Sequence, residues 1–95
     1  MLIVLADARF DPAQTSEIVA IARPMIEASR AEPGCVGYDY AFDMLEPGLM
    51  RVREWWRDEQ ALRDHFATPH MAAFLKALRT LKPAAVTIRC HELGP

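Results

Sequence analysis

The sequence lacks the features that define several large classes of protein. Its two cysteines, Cys35 and Cys90, belong to no Cys-x-x-Cys pair and no Cys/His metal spacing, so we expect two small buried hydrophobic residues rather than disulfides or zinc ligands. The net charge is −2, from 11 basic and 13 acidic side chains, which excludes a basic surface for nucleic acid or an anionic membrane. No apolar run reaches the roughly 18 residues that cross a bilayer. The sequence therefore predicts a soluble protein without nucleic-acid or membrane partners.

Length and the first residues set further expectations. At 95 residues the chain is long enough for one hydrophobic core, so we expect a single domain over residues 1–95. The apolar start has no basic leader and is interrupted by Asp7, unlike a secretory signal, which predicts a cytoplasmic protein. A domain this small often needs a second copy to cover a wide sheet, and we therefore expect a homodimer.

Hydrophobic periodicity predicts a mixed fold. Alternating residues predict strands over 2–10, 35–42, 49–56 and 85–92. Helical spacing predicts a helix from Pro12 to about Ala31, which Pro24 should kink or split, and a later helix from Pro69 to Lys82. The order strand, helix, strand, strand, helix, strand is that of a ferredoxin-like split βαβ sandwich, an α+β fold. Helices on one face of such a sheet leave the other face bare, and we expect this face to be apolar and to pack against a second copy.

The densest group of chemically useful side chains lies between Glu54 and Met71. Both tryptophans and two of the three histidines, His65 and His70, fall in this stretch. Asp58 is a typical helix N-cap, and Thr68 followed by a proline is typical of a second one. A strand therefore gives way to two short helices, a corner that can direct an acid, an indole and two imidazoles at one cavity.

These motifs together resemble a known family. Glu32-Pro33-Gly34-Cys35, Glu54-Trp55-Trp56 and His65 with Thr68-Pro69-His70-Met71 resemble the antibiotic biosynthesis monooxygenase (ABM) domain over nearly the whole chain, and within it the quinol monooxygenase branch. The resemblance implies a dimeric α/β barrel that oxygenates small quinol-type or polyketide-derived aromatics with molecular oxygen. It implies no metal, no flavin and no other cofactor. Haem-degrading relatives use an Asn, a Trp and a His at positions where this chain has Asp7, His65 and Leu75, so haem degradation is not expected.

Oxygenation without a cofactor requires that the substrate first lose a proton, because only its electron-rich anion passes an electron to oxygen. The protein must supply a base, a donor to the oxyanion and a dry pocket. His65 is the preferred base because an imidazole titrates near neutral pH, and His70 could donate to a substrate oxygen. Each histidine could instead cap or pack locally. A zinc site on these two residues is not expected, because five positions apart with a proline between them they do not share one helix face.

The remaining candidates lie on the predicted strands. Glu54 shares a strand face with Trp56 and could orient a histidine, although a structural ion pair with an arginine is the simpler expectation. Trp56 and Tyr38 could form aromatic walls for a planar substrate, or be plain core. Two other functions stay open: an isomerase that enolises a small dicarbonyl, and a dimeric ligand-binding module without catalysis.

Overall fold

The computed structural model describes residues 1–94 and confirms the α+β ferredoxin-like fold. The strands are β1 (Leu2–Arg9), β2 (Cys35–Phe42), β3 (Leu49–Trp56) and β4 (Ala85–Glu92). The α-helices are α1 (Thr15–Arg30), α2 (Glu59–Phe66) and α3 (Pro69–Thr80), and a short 3₁₀ turn, Pro12–Gln14, precedes α1. None of the helices in this described part of the chain is long and apolar enough to cross a membrane.

The four strands form one antiparallel sheet in the order β2-β3-β1-β4. Its register places Glu54 of β3 opposite Tyr38 of β2 on one side and Val4 of β1 on the other. Side chains alternate between the two faces along each strand, so these three residues share the face that carries the helices. The strand that supplies Glu54 is therefore central, and its helix-facing side is covered.

The first helix begins where its capping residues predict, but Pro24 does not split it. The Asp11 carboxylate accepts a hydrogen bond from the backbone N–H of Ala13, and Pro12 follows as the first residue of the turn. The helix then runs without interruption from Thr15 to Arg30 with Pro24 inside it. Its buried face carries Ile18, Ala22, Met25 and Ser29. Tertiary packing of this face onto the sheet outweighs the one intrahelical hydrogen bond that a proline removes.

The two faces of the sheet differ from expectation. The outer face was expected to be apolar, but it carries ion pairs, Arg51 with Asp7 at 3.2 Å and Arg53 with Asp39 at 3.1 Å, with the Arg53 guanidinium also 4.7 Å from the Trp55 ring centroid. The strands alternate as expected, but their outward side carries charged residues between the apolar ones. The dimer expected across this face stays a prediction.

The exposed apolar surface lies on β4 instead. All eight residues of this strand are exposed, including Val86 at 53% and Ile88 at 63%, which pair with Ala8 and Ala6 on the helix-facing side. The helices cover the other three strands and leave this one bare. Cys90 of β4 is also exposed and Cys35 is only half-buried, so the expectation of two buried cysteines was wrong, although both thiols are free.

Candidate functional site

A tight turn after α1 places Glu32 beside the helix corner. The backbone N–H of Cys35 donates to the carbonyl of Glu32, and the N–H of Arg57 donates to that of Gly34 at 2.9 Å. A Cβ at Gly34 would collide with the side chain of Ala61 on α2, so glycine allows the turn to pack directly against that helix. The sequence Glu32-Pro33-Gly34 is thus a stop signal for α1 that also delivers a carboxylate to α2 and α3.

Two imidazoles converge on this carboxylate. The Oε2 atom of Glu32 lies 2.7 Å from Nδ1 of His65 and 2.9 Å from Nε2 of His70. His65 is in the last turn of α2 and His70 is in the first turn of α3. Thr68, the N-cap of α3, links the two helices. Its hydroxyl accepts a hydrogen bond from the Met71 N–H and donates one to the His65 carbonyl. The capped corner therefore fixes both rings against one acid.

The second nitrogen of His65 faces the interior. Because a carboxylate accepts hydrogen bonds, we assign the proton of the neutral ring to Nδ1, which leaves a lone pair on Nε2. The hydroxyl of Tyr38 lies 3.3 Å from Nε2, and the Trp56 ring packs with its centroid 4.6 Å from that of the imidazole. The His65, Trp56 and Tyr38 side chains are all fully buried. Burial lowers the pKa of His65 and outweighs the neighbouring Glu32 carboxylate, which raises it, so the imidazole is neutral near pH 7.

Tyrosine hydroxyls extend this network away from His65. The Tyr38 hydroxyl is 3.3 Å from the Tyr40 hydroxyl, and the two rings stack with centroids 5.4 Å apart. Its other neighbours are the sulfur atoms of Met25 at 3.3 Å and Met71 at 3.9 Å, which are weak acceptors. Burial raises the pKa of both tyrosines, so their hydroxyls stay protonated.

Glu54 binds the indole N–H of Trp56 instead of forming the expected ion pair with an arginine. Its Oε1 atom accepts a hydrogen bond of 2.9 Å from the Trp56 indole N–H, and no arginine contacts it among the described residues. Burial raises the Glu54 pKa to about 7, the indole N–H lowers it and the Glu32 charge raises it further. A carboxyl group with this pKa can hold or release a proton at neutral pH.

The five predicted site residues do form one contiguous cluster, but they pack against one another rather than line an open cavity. Glu54, Trp56, His65 and Tyr38 each contact the next, and His70 joins through Glu32. Glu32 is the residue that sequence reasoning missed as a site residue. The signal was present, since Glu32 belongs to the Glu32-Pro33-Gly34-Cys35 motif that resembles the ABM family, but the motif was interpreted as a turn, with no role for its carboxylate.

The geometry also overturns the argument against a metal site. Ligand atoms of Glu32, His65 and His70 all lie within 4.8 Å of one another. The two histidines need not share a helix face, because the chain turns between α2 and α3 and each helix offers one ring to the same point. Two imidazoles and a carboxylate are a donor set that suits zinc or another first-row transition metal.

An open groove lies beside this cluster, between α1 and β2. It has a volume of about 380 Å³ and is lined by Tyr40, by apolar side chains that include Val19 and Ile26, and by Arg23, Glu27 and Arg30. Tyr40 therefore belongs both to the groove wall and to the hydrogen-bonded network. Ligand pockets for small molecules are commonly of this volume.

Comparison with known proteins decides the family. The family model described as antibiotic biosynthesis monooxygenase, ABM, matches residues 1–77. The chain belongs to the ABM family. It is 34% identical over 89 residues to the protein sll1783 of Synechocystis sp., covering 92% of this chain and 60% of that one. It is 28% identical over 94 residues to YcnE of Bacillus subtilis, named a "putative monooxygenase", covering 99% of each chain.

Solved structures agree with this assignment. A crystal structure of an antibiotic biosynthesis monooxygenase superposes with a TM-score of 0.90 at 28% identity and covers 100% of both chains. The ABM family resemblance stated from the Glu32 and His65 motifs is thereby confirmed, and so is the fold.

Proposed function

We propose that this ABM protein is a cofactor-independent monooxygenase that acts on small quinol-type or polyketide-derived aromatic substrates. The observation that carries the proposal is the hydrogen bond of 2.7 Å between the partly buried Glu32 carboxylate and Nδ1 of the buried His65. An acid in this position fixes the ring and its tautomer, and it stabilises the imidazolium that forms when Nε2 accepts a proton. The names of the relatives support a monooxygenase reaction without identifying a substrate.

The proposed reaction needs only a base, a dry interior and oxygen. Removal of a phenolic proton gives an anion that reduces molecular oxygen directly, and recombination forms a new carbon–oxygen bond. For hydroquinone, one quinol and one O₂ give one hydroxyquinone and one water, so atoms and electrons balance. His65 takes the proton, and the buried aromatic surroundings of Trp56 and Tyr38 exclude water from the imidazolium that forms.

The other site residues have distinct proposed roles. Nε2 of His70 is engaged by Glu32 at 2.9 Å, so we assign His70 to holding the carboxylate instead of donating to a substrate oxygen. Glu54, with a pKa of about 7, is the second group able to exchange a proton at neutral pH. No metal or other cofactor is part of the proposal.

A homodimer also belongs to the proposal, but through β4. Its Val86 and Ile88 side chains are more than half exposed on the helix-facing side of the sheet. Burying such apolar groups stabilises association by about 25 cal/mol for each Å² removed from water. Light scattering of Ile88→Asp should show a lower mass than the wild type. Leu45→Asp is the control, because Leu45 is 89% exposed in the β2–β3 turn. A wild-type monomer at micromolar concentration would contradict the dimer.

Oxygen uptake with hydroquinone tests the proposed activity. We expect uptake by the wild type and a loss of about 10²-fold in Glu32→Gln, because Gln cannot stabilise the imidazolium as a carboxylate does. Glu59→Gln is the matched control, since Glu59 pairs only with Arg63 on the surface of α2. Exchange of substrate protons without oxygen uptake would instead support the isomerase, and binding without either reaction would support the ligand-binding module.

A further inference from the structure

The base proposed above cannot be reached directly. His65 is fully buried, and the Tyr38 hydroxyl lies 3.3 Å from its Nε2 atom. A substrate that replaced this hydroxyl would have to displace a fully buried tyrosine from the centre of the core. The open groove between α1 and β2 does not include His65 among its lining residues. If the substrate binds in the groove, its proton must therefore pass through other groups to reach His65.

We propose that a phenol or quinol binds in the groove between α1 and β2 and that its proton reaches His65 through the hydroxyls of Tyr40 and Tyr38. The inference rests on the proposed function, in which His65 is the base. It assigns Tyr40, which neither the motifs nor the family comparison singles out, as the catalytic residue that touches the substrate. Tyr38 becomes a link in the chain rather than a wall of the pocket.

Two independent observations meet at Tyr40. It lines the groove of about 380 Å³, and its hydroxyl is 3.3 Å from that of Tyr38, which is 3.3 Å from Nε2 of His65. These separations are long for hydrogen bonds, but catalytic hydrogen bonds in unliganded proteins often tighten when the substrate binds. The ring of Tyr40 is fixed on both sides, by stacking on Tyr38 and by an edge contact with Phe74 at 5.9 Å between centroids.

The relay transfers one proton without charging either tyrosine. The substrate hydroxyl gives its proton to the Tyr40 oxygen while the Tyr40 proton passes to the Tyr38 oxygen and the Tyr38 proton passes to Nε2 of His65. Three O–H bonds break, and two O–H bonds and one N–H bond form. The products are a bound phenolate and an imidazolium paired with Glu32, 2.7 Å from Nδ1. Because burial raises both tyrosine pKa values, a stepwise route through a tyrosinate is disfavoured and the protons move together.

The surroundings suit both ends of the relay. The other hydrogen-bonding neighbours of the Tyr38 hydroxyl are Tyr40, the buried Ser29 hydroxyl and the thioether sulfurs of Met25 and Met71, and the thioethers compete weakly for its proton. The groove is lined by Arg23, Arg30 and Glu27, and Arg30 also pairs with Asp39 at 3.4 Å, so Arg23, which has no ion pair among the described residues, is the cation that attracts a phenolate. The apolar side chains between them favour a flat ring over a small polar acid.

Binding and ionisation of 4-nitrophenol test the relay without any oxidation. The phenolate of this probe absorbs visible light and the phenol does not, so rapid mixing in weak acid, where the free probe is protonated, follows its ionisation, and equilibrium dialysis measures its binding. We expect the wild type to bind the probe and to ionise it rapidly. Because a relay sets the rate of proton transfer and not its equilibrium, Tyr40→Phe should bind the probe within about threefold of the wild type but ionise it about tenfold more slowly or slower still. Tyr38→Phe should show the same slow ionisation, because it breaks the same chain one step later.

A second pair of variants tests whether the probe binds in the groove. Val19→Trp fills the groove and should weaken binding by about tenfold or more, whereas Leu75→Trp on α3 should not. These two positions are matched, at 41% and 38% exposure. Ionisation by Tyr40→Phe at the wild-type rate would overturn the relay, and unchanged binding by Val19→Trp would overturn the assignment of the groove as the binding site. Ionisation of nitrophenol by a wild type that consumes no oxygen with hydroquinone would overturn the proposed oxygenation and support the relay.

Discussion

Two adjacent charged residues of β3, Glu54 and Arg53, lie in different environments. Glu54 points to the helices, where an indole N–H at 2.9 Å is its hydrogen-bond partner. Its neighbour Arg53 points outward and pairs with Asp39 at 3.1 Å, with more than half of the arginine side chain exposed. One step along the strand thus separates a nearly buried carboxyl group from an ion pair in water.

The difference shows where the sheet can support acid–base chemistry. In the interior, few polar partners and little water allow burial to raise the Glu54 pKa to about 7 and to lower that of His65. On the outer face, water screens the charges, and ion pairs there contribute little. The inner face is therefore the functional side of the sheet in our proposal, and the outer face is a solvated surface.

Replacing His65 is expected to have the largest effect. His65→Ala should lower hydroquinone turnover by about 10²-fold or more, because general-base catalysis typically contributes that much. A substrate already ionised at the assay pH should lose far less, since the assisted step has been bypassed. His91→Ala is the matched control, because His91 lies on exposed β4. Steady-state kinetics with both substrates checks the prediction.

The pattern of losses separates the roles of His65. Equal losses for the two substrates would indicate that the imidazole positions its neighbours without accepting the proton. Full activity of His65→Ala toward both would remove catalysis from this corner. Circular dichroism should accompany the kinetics, because His65 is buried and its loss leaves a cavity.

Glu54 should make the folded protein less stable as the pH rises. Its pKa increases from 4.5 to about 7 on folding, so the folded state holds a proton that the unfolded state has already released. The contribution is fully present below pH 4.5 and is lost as the pH rises through about 7, amounting to about 3 kcal/mol. Glu54→Gln keeps an oxygen for the Trp56 N–H and should remove this loss. Urea unfolding at pH 4.5 and pH 8 measures it, and an equal pH dependence in both proteins would contradict it.

Local patterns were enough to predict the fold and the corner. Asp58 and Thr68 cap α2 and α3 as expected, because a side-chain oxygen next to unpaired backbone N–H groups is a local feature. Alternation also predicted that Glu54 and Trp56 share one face of their strand, as they do. These residues lie within single elements, where periodicity determines the direction of a side chain.

Features that depend on distant parts of the chain were not predictable in the same way. Glu32 is separated from its partners His65 and His70 by 33 and 38 positions, and only the packing of Gly34 on Ala61 brings them together. The exposure of β4 likewise depends on how far the helices extend across the sheet. Periodicity states which face a residue is on, but not whether another element covers it.

On the outer face, removing a charged side chain should change the stability of the protein only slightly. Arg53→Ala breaks the pair with Asp39 and the contact with Trp55, both of which are exposed or half-buried. We expect the free energy of unfolding to fall by about 0.2 to 1 kcal/mol, with hydroquinone turnover unchanged. Urea denaturation checks the first expectation. A large loss of activity would show that the outer face takes part in the reaction, and the inner face would then not be the only functional side of the sheet.

Chelation is expected to have the smallest effect. Although Glu32, His65 and His70 could ligate a metal, Glu32 Oε2 lies 2.7 Å and 2.9 Å from the two imidazole nitrogens and is already satisfied by hydrogen bonds. A bound ion would occupy Nδ1 of His65, force the ring proton onto Nε2 and so remove the lone pair that the reaction requires. Protein purified under chelator should therefore keep full activity and contain well below one metal ion per chain. Elemental analysis with oxygen-uptake assays measures both quantities. Stoichiometric zinc or iron, or activity restored only by adding metal, would make the cluster a metal centre and reassign His65 from base to ligand.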